Sequence, residues 1–271
     1  MDSTTLSSIT TGDGVRIAYR FDGAQDKPVL LLSNSIGTDL HMWDGQVPAF
    51  TEHFRLLRYD ARGHGASDVP DGPYSLDRLG RDVLELLDVL GLERVHVLGL
   101  SLGGIVAQWL AIHAPARVDR LVLSNTAAQL GPPQQWDRPI ADLLAASDME
   151  ATAETFLRNW FPAHLLTDGV VDGFRRTLLA TRREGVAGSW AAVRDSDLRR
   201  TASLICSPTL VVAGEHDPVT SSTHGKEIAT TVPGARYVEL PAMHMSNVEV
   251  PAEFLGAVLG FLTEQDAPTS S

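Results

Sequence analysis

The sequence predicts an α/β fold in which a mostly parallel sheet is flanked by helices and interrupted by a helical cap insertion. Two observations lead to this prediction. Short apolar runs alternate with longer amphipathic stretches at both ends of the chain, whereas the middle is rich in helix formers, tryptophan and arginine. The apolar runs are continuous, which is typical of parallel strands that are covered on both faces.

The composition is that of a soluble globular protein. Of the 271 residues, 44% are hydrophobic and 21% are charged, which is ordinary for a globular domain. No apolar run approaches the roughly 20 residues that span a bilayer, so no membrane partner is expected. The amino terminus lacks the features of a secretory signal, which predicts a cytoplasmic location. A formal net charge of −12 argues against nucleic acid as a partner.

The first half of the chain provides the predicted strands and helices in order. We interpret VRIAYRF, PVLLLSN and FRLLRYD as strands. The stretch that follows has leucines and valine at helical spacing, with Ser75 as its cap and Gly91 as its stop. RVHVLGL is the next strand, and it is followed by a helix at Leu102–His113 and by the strand VDRLVLSN.

The second half begins with the predicted insertion. Residues 127–197 contain no convincing strand and are predicted to form a helical cap over one end of the sheet. SPTLVVAGEHD, ARYVELPAMH and a helix over Pro251–Leu262 then resume the alternation. The predicted division is therefore a first core part at 1–126, a cap at 127–197 and a second core part at 198–271.

A glycine-rich turn joins the RVHVLGL strand to the next helix. Residues 99–103 fit the pattern G-x-S-x-G around Ser101, with a strand before it and a helix after it. Flanking glycines allow a strained turn in which a side chain would collide with the neighbouring elements. The serine would stand at a helix amino terminus, where developing negative charge is favoured. The alternative is an ordinary glycine-rich turn.

A serine hydroxyl needs a base, and the base needs an acid that orients it. In this architecture the acid and the histidine follow the serine in that order, each on a loop after a strand. Asp217 follows TLVVAG, and His244 follows the last predicted strand. Glu215 and His216 lie close by and are the competing candidates.

Acyl transfer also needs two donors for the oxyanion. The first is the amide after the nucleophile, which belongs to Leu102. The second should come from the loop after the early strand PVLLLSN, where Ile36 is the preferred residue and Ser35 the alternative.

The other histidines and the one cysteine have simpler interpretations. His64 is expected to be structural, His113 to pack at a helix end, and His41 to lie near the pocket mouth without an evident role. None of these histidines is paired at metal-ligand spacing with another His, Cys or Glu, so no metal site is predicted. Cys206 stands beside an apolar run and is predicted to be buried and inert.

These residues resemble the α/β-hydrolase superfamily over essentially the whole chain. DARGHGASD is similar to its D-x-R-G-x-G-x-S segment. Residues 34–38, Asn-Ser-Ile-Gly-Thr, stand where most relatives have His-Gly and resemble bacterial 3-oxoadipate enol-lactonases, as do SNVE after His244 and AAVRDSDLR in the cap. Those enzymes often have a pair of cysteines before this Arg-Asp, where this chain has Ser189 and Trp190.

The resemblance implies a serine hydrolase that opens 3-oxoadipate enol-lactone to 3-oxoadipate through an acyl-enzyme, without a cofactor. The lactone carries an acetate arm, so a cation should face the pocket of this acidic protein. Arg138 and Arg194 are the expected cations. Trp136, Trp160 and Trp190 are the candidates for the pocket lining, and the alternative is that they form the core of the cap.

Other functions share the same catalytic residues. A carboxylesterase, another lactonase or a cofactor-free perhydrolase would need the same triad, because the cap sets the substrate. A ligand receptor without turnover is the alternative from a different class. Retention of all three triad residues argues against it.

Overall fold

An eight-stranded sheet forms the centre of the computed structural model, which describes residues 6–167 and 169–264. Its strands follow the spatial order β1-β2-β4-β3-β5-β6-β7-β8. The β1–β2 and β2–β4 pairs are antiparallel and all other pairs are parallel. The sheet is therefore mostly parallel, as predicted. The strands are β1 (Ser7–Thr10), β2 (Arg16–Asp22), β3 (Val29–Ser33), β4 (Arg55–Tyr59), β5 (Val95–Leu100), β6 (Val118–Ser124), β7 (Thr209–Gly214) and β8 (Arg236–Leu240).

Helices cover both faces of this sheet. They are α1 (Val47–Thr51), α2 (Leu76–Val89), α3 (Leu102–His113), α4 (Asp137–Ala145), α5 (Glu150–Trp160), α6 (Asp172–Ala180), α7 (Arg183–Asp195), α8 (Ser222–Thr231), α9 (Ser246–Glu249) and α10 (Pro251–Leu262). The cap at Ser75 has formed, since its hydroxyl accepts a hydrogen bond from the Arg78 amide at 3.1 Å. Gly91 follows α2 with a φ of 65°, a conformation that favours glycine.

The central strand β3 is almost continuously apolar because it contributes to two cores. In β3, Leu31 packs into the cluster that contains residues of α2 and α3. Its neighbours Leu30 and Leu32 pack into the cluster that contains residues of α1 and α10. Successive side chains of a strand point to opposite faces, so both faces of β3 require apolar residues.

The chain between β6 and β7 contains the helices α4–α7, which we call the cap helices. No strand is present among the described residues of this segment. Residues of α5 and α7 join the same clusters of buried side chains as the sheet. The domain limits at residues 127 and 197 stay a prediction.

Two further expectations concern the surface of the protein. Cys206 is exposed, contrary to the predicted burial. It lies between the short helix Ala202–Leu204 and β7, so the apolar run beside it belongs to the strand while the thiol remains outside. Across residues 6–167 and 169–264, none of the helices combines the length and apolarity required to cross a bilayer.

Candidate active site

Ser101 occupies the turn between β5 and α3 in a strained backbone conformation. Its φ is 58° and its ψ is −120°, a combination that non-glycine residues rarely adopt. The Ser101 amide donates to the Ser124 carbonyl at 3.0 Å, and the Ser101 carbonyl accepts from the Gly104 amide at 2.9 Å. These bonds hold the residue in place from the neighbouring strand and from its own helix.

The glycines of the motif are required by close backbone contacts. A Cβ added at Gly99 would lie 2.2 Å from the Gly103 oxygen, and one at Gly103 would lie 2.1 Å from the Ser33 oxygen. Both distances are far below van der Waals contact. The two glycines therefore allow β5, α3 and the end of β3 to meet at Ser101.

Asp217 and His244 form a buried pair at the same edge of the sheet. His244 Nδ1 lies 2.8 Å from Asp217 Oδ2. Because an ionised carboxylate can only accept, Nδ1 donates in this bond and Nε2 is left to accept a proton. Ser101 and His244 both line one cavity, so the structure brings together the predicted nucleophile and base.

The Asp217 carboxylate accepts several further hydrogen bonds. The Val219 and Thr220 amides donate to Oδ1 at 2.8 and 3.0 Å, and the Thr220 hydroxyl donates to Oδ2 at 2.7 Å. Burial alone would raise the pKa of Asp217, but the charge of His244 and these hydrogen bonds outweigh it and lower the pKa to about 2. The acid therefore stays ionised beneath the imidazole.

Asn125, which the sequence interpretation missed, supports the same carboxylate. It follows β6 directly and has a φ of 43°. Its Nδ2 donates to Asp217 Oδ2 and to the Met243 carbonyl, both at 3.1 Å. Its Oδ1 accepts from the Ser124 and Ser246 hydroxyls at 2.9 and 2.6 Å. The sequence signal that could have identified Asn125 is its position as a polar residue at the carboxyl end of β6, which pairs with both β5 and β7.

The two predicted oxyanion donors lie at the adjoining ends of β3 and α3. The Leu102 amide is at the first position of α3, where no carbonyl of its own helix can accept from it. The loop that carries Ile36 is joined to this helix, because the Gly103 amide donates to the Asn34 carbonyl at 3.0 Å. Trp43 Nε1 donates to Asn34 Oδ1 at 2.9 Å and fixes the loop further. Both Ile36 and Leu102 line the Ser101 cavity.

Ser35 is less suited to donate to an oxyanion. Its amide already donates to the Met42 sulfur at 3.3 Å, and its carbonyl accepts from the Thr38 hydroxyl at 2.7 Å. The geometry thus favours Ile36 over this alternative.

The cavity above Ser101 has a volume of about 520 Å³ and is mainly apolar. The three predicted tryptophans line it, together with Phe156. Phe156 lies against both Trp160 and Trp190, with ring centroids 5.0 and 5.9 Å apart. The polar residues of the lining from the cap helices are Asp142, Thr152, Thr155 and Asn159.

The structure places the two expected arginines outside this lining. Arg138 is 89% exposed and its guanidinium lies 3.3 Å from Asp142. Arg194 donates to the Asp195 and Asp137 carboxylates at 2.7 and 3.2 Å. The charge of each arginine is thus paired with carboxylates on its own helix or on a neighbouring helix. Among the residues that the structure describes, no lysine or arginine lines the cavity.

Known proteins share this arrangement of strands, helices and turn. The family described as alpha/beta hydrolase fold matches residues 28–251. The chain belongs to the α/β-hydrolase family.

Three relatives of this α/β-hydrolase illustrate the similarity. A 3-oxoadipate enol-lactonase of Acinetobacter baylyi is 38% identical over 92% of this chain and 93% of its own length. The crystal structure of a hydrolase from Pseudomonas aeruginosa is 62% identical, with a TM-score of 0.95 over 97% of this chain and 100% of that chain. The enol-lactonase from Burkholderia xenovorans is 41% identical, with a TM-score of 0.91 over 95% and 100%.

The competing catalytic candidates lie away from the α/β-hydrolase cavity. Glu215 and His216 are exposed and face each other at 4.0 Å, and neither lines the cavity. His64 is buried, with its Nδ1 3.2 Å from the Arg62 carbonyl. Among the described residues, no group of three or more His, Cys, Asp or Glu side chains could hold a metal ion.

The two other histidines considered in the sequence analysis, His41 and His113, have local partners. His41 lies 2.9 Å from Asp44 and lines a separate cavity. His113 stacks on Trp109 at the end of α3, as expected, with centroids 4.4 Å apart.

The two residues that replace the cysteine pair of many enol-lactonases have different environments in this α/β-hydrolase. Ser189 is completely buried within α7 and does not line the cavity, whereas Trp190 does. The departure from the enol-lactonase pattern therefore alters one core position and one wall of the pocket.

Proposed function

We propose that this chain hydrolyses carboxylic esters and lactones through an acyl-enzyme on Ser101. The observation that carries the proposal is that His244, which is hydrogen-bonded to Asp217, lines one cavity together with a strained serine at a helix amino terminus. Similarity to 3-oxoadipate enol-lactonases over nearly the full chain supports the same reaction class.

The mechanism follows from the order of the three side chains. His244 Nε2 takes the proton of Ser101 as the serine oxygen attacks the carbonyl carbon. The Ile36 and Leu102 amides stabilise the resulting oxyanion. The ester bond then breaks, and the imidazolium returns the proton to the leaving oxygen. Water attacks the acyl-enzyme with the same assistance and regenerates Ser101.

An enol lactone suits this mechanism for a chemical reason. Its leaving group is an enolate, which is more stable than an alkoxide but remains tethered to the acyl group and can attack back. Protonation by His244 followed by tautomerisation to the ketone removes this internal nucleophile. The relatives' names make 3-oxoadipate enol-lactone the first lactone to test.

A covalent label tests the proposal directly. Incubation with a p-nitrophenyl phosphonate should add one phosphonyl group to the intact mass, located on the peptide that contains Ser101, and p-nitrophenyl acetate should give a burst of phenolate. Ser101→Ala should show neither effect. A protein that only binds ligands would fail both assays and refute the proposal.

A further inference from the structure

The cavity above Ser101 has an unusual charge balance for a site that accepts a carboxylate. Within the described part of the chain, Asp142 is the only permanently charged side chain that lines this cavity. His244 also lines the cavity and can become charged. Thr152, Thr155 and Asn159 supply uncharged hydrogen-bonding groups along one side of α5. The rest of the lining is dominated by aromatic and aliphatic residues.

A carboxylate in this cavity would lose water without gaining a cation. Burial of an unpaired charge is expensive. Asp142 is 69% exposed and is paired with Arg138, which lies 3.3 Å away and is 89% exposed, so this ion pair offers no free cation to the cavity. The chain as a whole carries a net charge of −12, so its overall field gives an anionic ligand no attraction.

We infer that the site selects uncharged esters and lactones with an apolar remainder, and discriminates against substrates whose remainder carries a carboxylate. This inference rests on the proposed esterase or lactonase function and narrows its substrate class. It predicts that 3-oxoadipate enol-lactone, whose acetate arm is a carboxylate, is a poor substrate of this chain. The aromatic walls would bind the apolar part, while Thr152 and Asn159 would donate to neutral oxygens.

Three esters of similar length test the inference. They are p-nitrophenyl heptanoate, the mono-p-nitrophenyl ester of adipate with a free carboxylate, and the same adipate ester with that carboxylate methylated. The two neutral esters should have similar kcat/KM values, and the free carboxylate should lower kcat/KM by about 100-fold, as expected for an unpaired buried charge. Equal kcat/KM for the free and methylated adipate esters would overturn the inference.

A new cation should weaken this discrimination. Thr155 is exposed on α5 and lines the cavity, so Thr155→Arg should raise kcat/KM for the anionic ester by about tenfold relative to heptanoate. Thr230→Arg is the matched control, because Thr230 is also an exposed helical threonine whose hydroxyl donates to the carbonyl four residues earlier. The control should leave the ratio between the esters as in the parent protein. Equal effects of both substitutions would overturn the local explanation.

Binding to Ser101→Ala separates this inference from the proposed function. Titration calorimetry with the same three esters reports selectivity without turnover. Tighter binding of the neutral esters to Ser101→Ala, found together with a parent protein that hydrolyses none of the three, would refute the proposed function and support the inference. Failure to bind the neutral esters, or equal binding of all three, would overturn the inference whatever the catalytic result.

Discussion

Asn125 donates a hydrogen bond to the same oxygen of Asp217 that accepts from His244. The two distances are 3.1 and 2.8 Å. Because Asn125 stands at the end of β6 while Asp217 follows β7, this bond fixes the acid relative to the neighbouring strand. Two serine hydroxyls that donate to Asn125 Oδ1 orient the amide so that its nitrogen faces the carboxylate.

Removal of this support should reduce catalysis. Asn125→Ala should lower kcat/KM for a p-nitrophenyl ester by about 10- to 100-fold, because one hydrogen bond to a buried charge is lost and the acid is less well held. Ser246→Ala, which removes only one hydroxyl that donates to Asn125, should have a smaller effect. Similar activity of Asn125→Ala and the parent would show that the bond has no role in positioning.

A charge at the same position should change the pH dependence. Asn125→Asp places a second carboxylate beside Asp217, and the added negative charge favours the protonated form of His244. The acid limb of the kcat/KM profile should therefore move to higher pH. A purely structural defect would lower the whole profile without moving it.

The nucleophile has a simpler test. Ser101→Ala should reduce kcat by roughly 10⁵-fold or more, because no other group in the triad can form the acyl-enzyme. Ser203→Ala is a suitable control, since that serine is exposed on a short helix outside the cavity. Near-normal turnover by Ser101→Ala would remove this residue from the mechanism.

Asp217 should also contribute to stability in a defined pH range. Its pKa is about 2 in the fold against a reference value of 3.8, so folding favours the ionised form. The contribution is complete above about pH 4 and is lost as the pH falls toward 2. The difference in unfolding free energy between the parent and Asp217→Asn should therefore shrink over this interval. A difference that grows upon acidification would contradict the lowered pKa.

Two glycine substitutions should have opposite outcomes. Gly103→Ala places a Cβ 2.1 Å from the Ser33 oxygen, whereas a Cβ at Gly256 in α10 meets nothing within 4 Å. The first change should abolish activity and lower the melting temperature. The second should stabilise the protein by about 0.5–1 kcal/mol, the usual gain for alanine over glycine within a helix. Thermal unfolding and ester hydrolysis measure both effects, and a harmless Gly103→Ala would contradict the close packing.

The sequence predicts those features that depend on local pattern. Continuous apolar runs, the Ser75 cap and the glycine-flanked Ser101 each carry their own chemical reason, and strand order along the chain then points to Asp217 and His244. The sequence alone did not identify Asn125 as a supporting residue, because its hydrogen-bond partners come from three separate segments of the chain. No periodicity reveals that a single amide will face Asp217, Met243 and two serines.

The arginines and the cysteine show a different difficulty. Arg194 has the right charge for a pocket, but its guanidinium is held by the adjacent Asp195 and by Asp137, which belongs to another helix. Cys206 lies one residue away from both Ile205 and Ser207, which are buried, yet it is exposed itself. The direction in which these side chains point is decided by packing in three dimensions, which the local composition does not reveal.

The cap helices contribute most of the pocket wall from one uninterrupted stretch of chain, whereas Ser101, Asp217 and His244 follow the strands β5, β7 and β8. Recombination at the two junctions of that stretch could thus exchange most of the pocket wall in a single genetic event. The proposed catalytic residues are encoded outside that stretch, so a change of substrate need not alter the reaction.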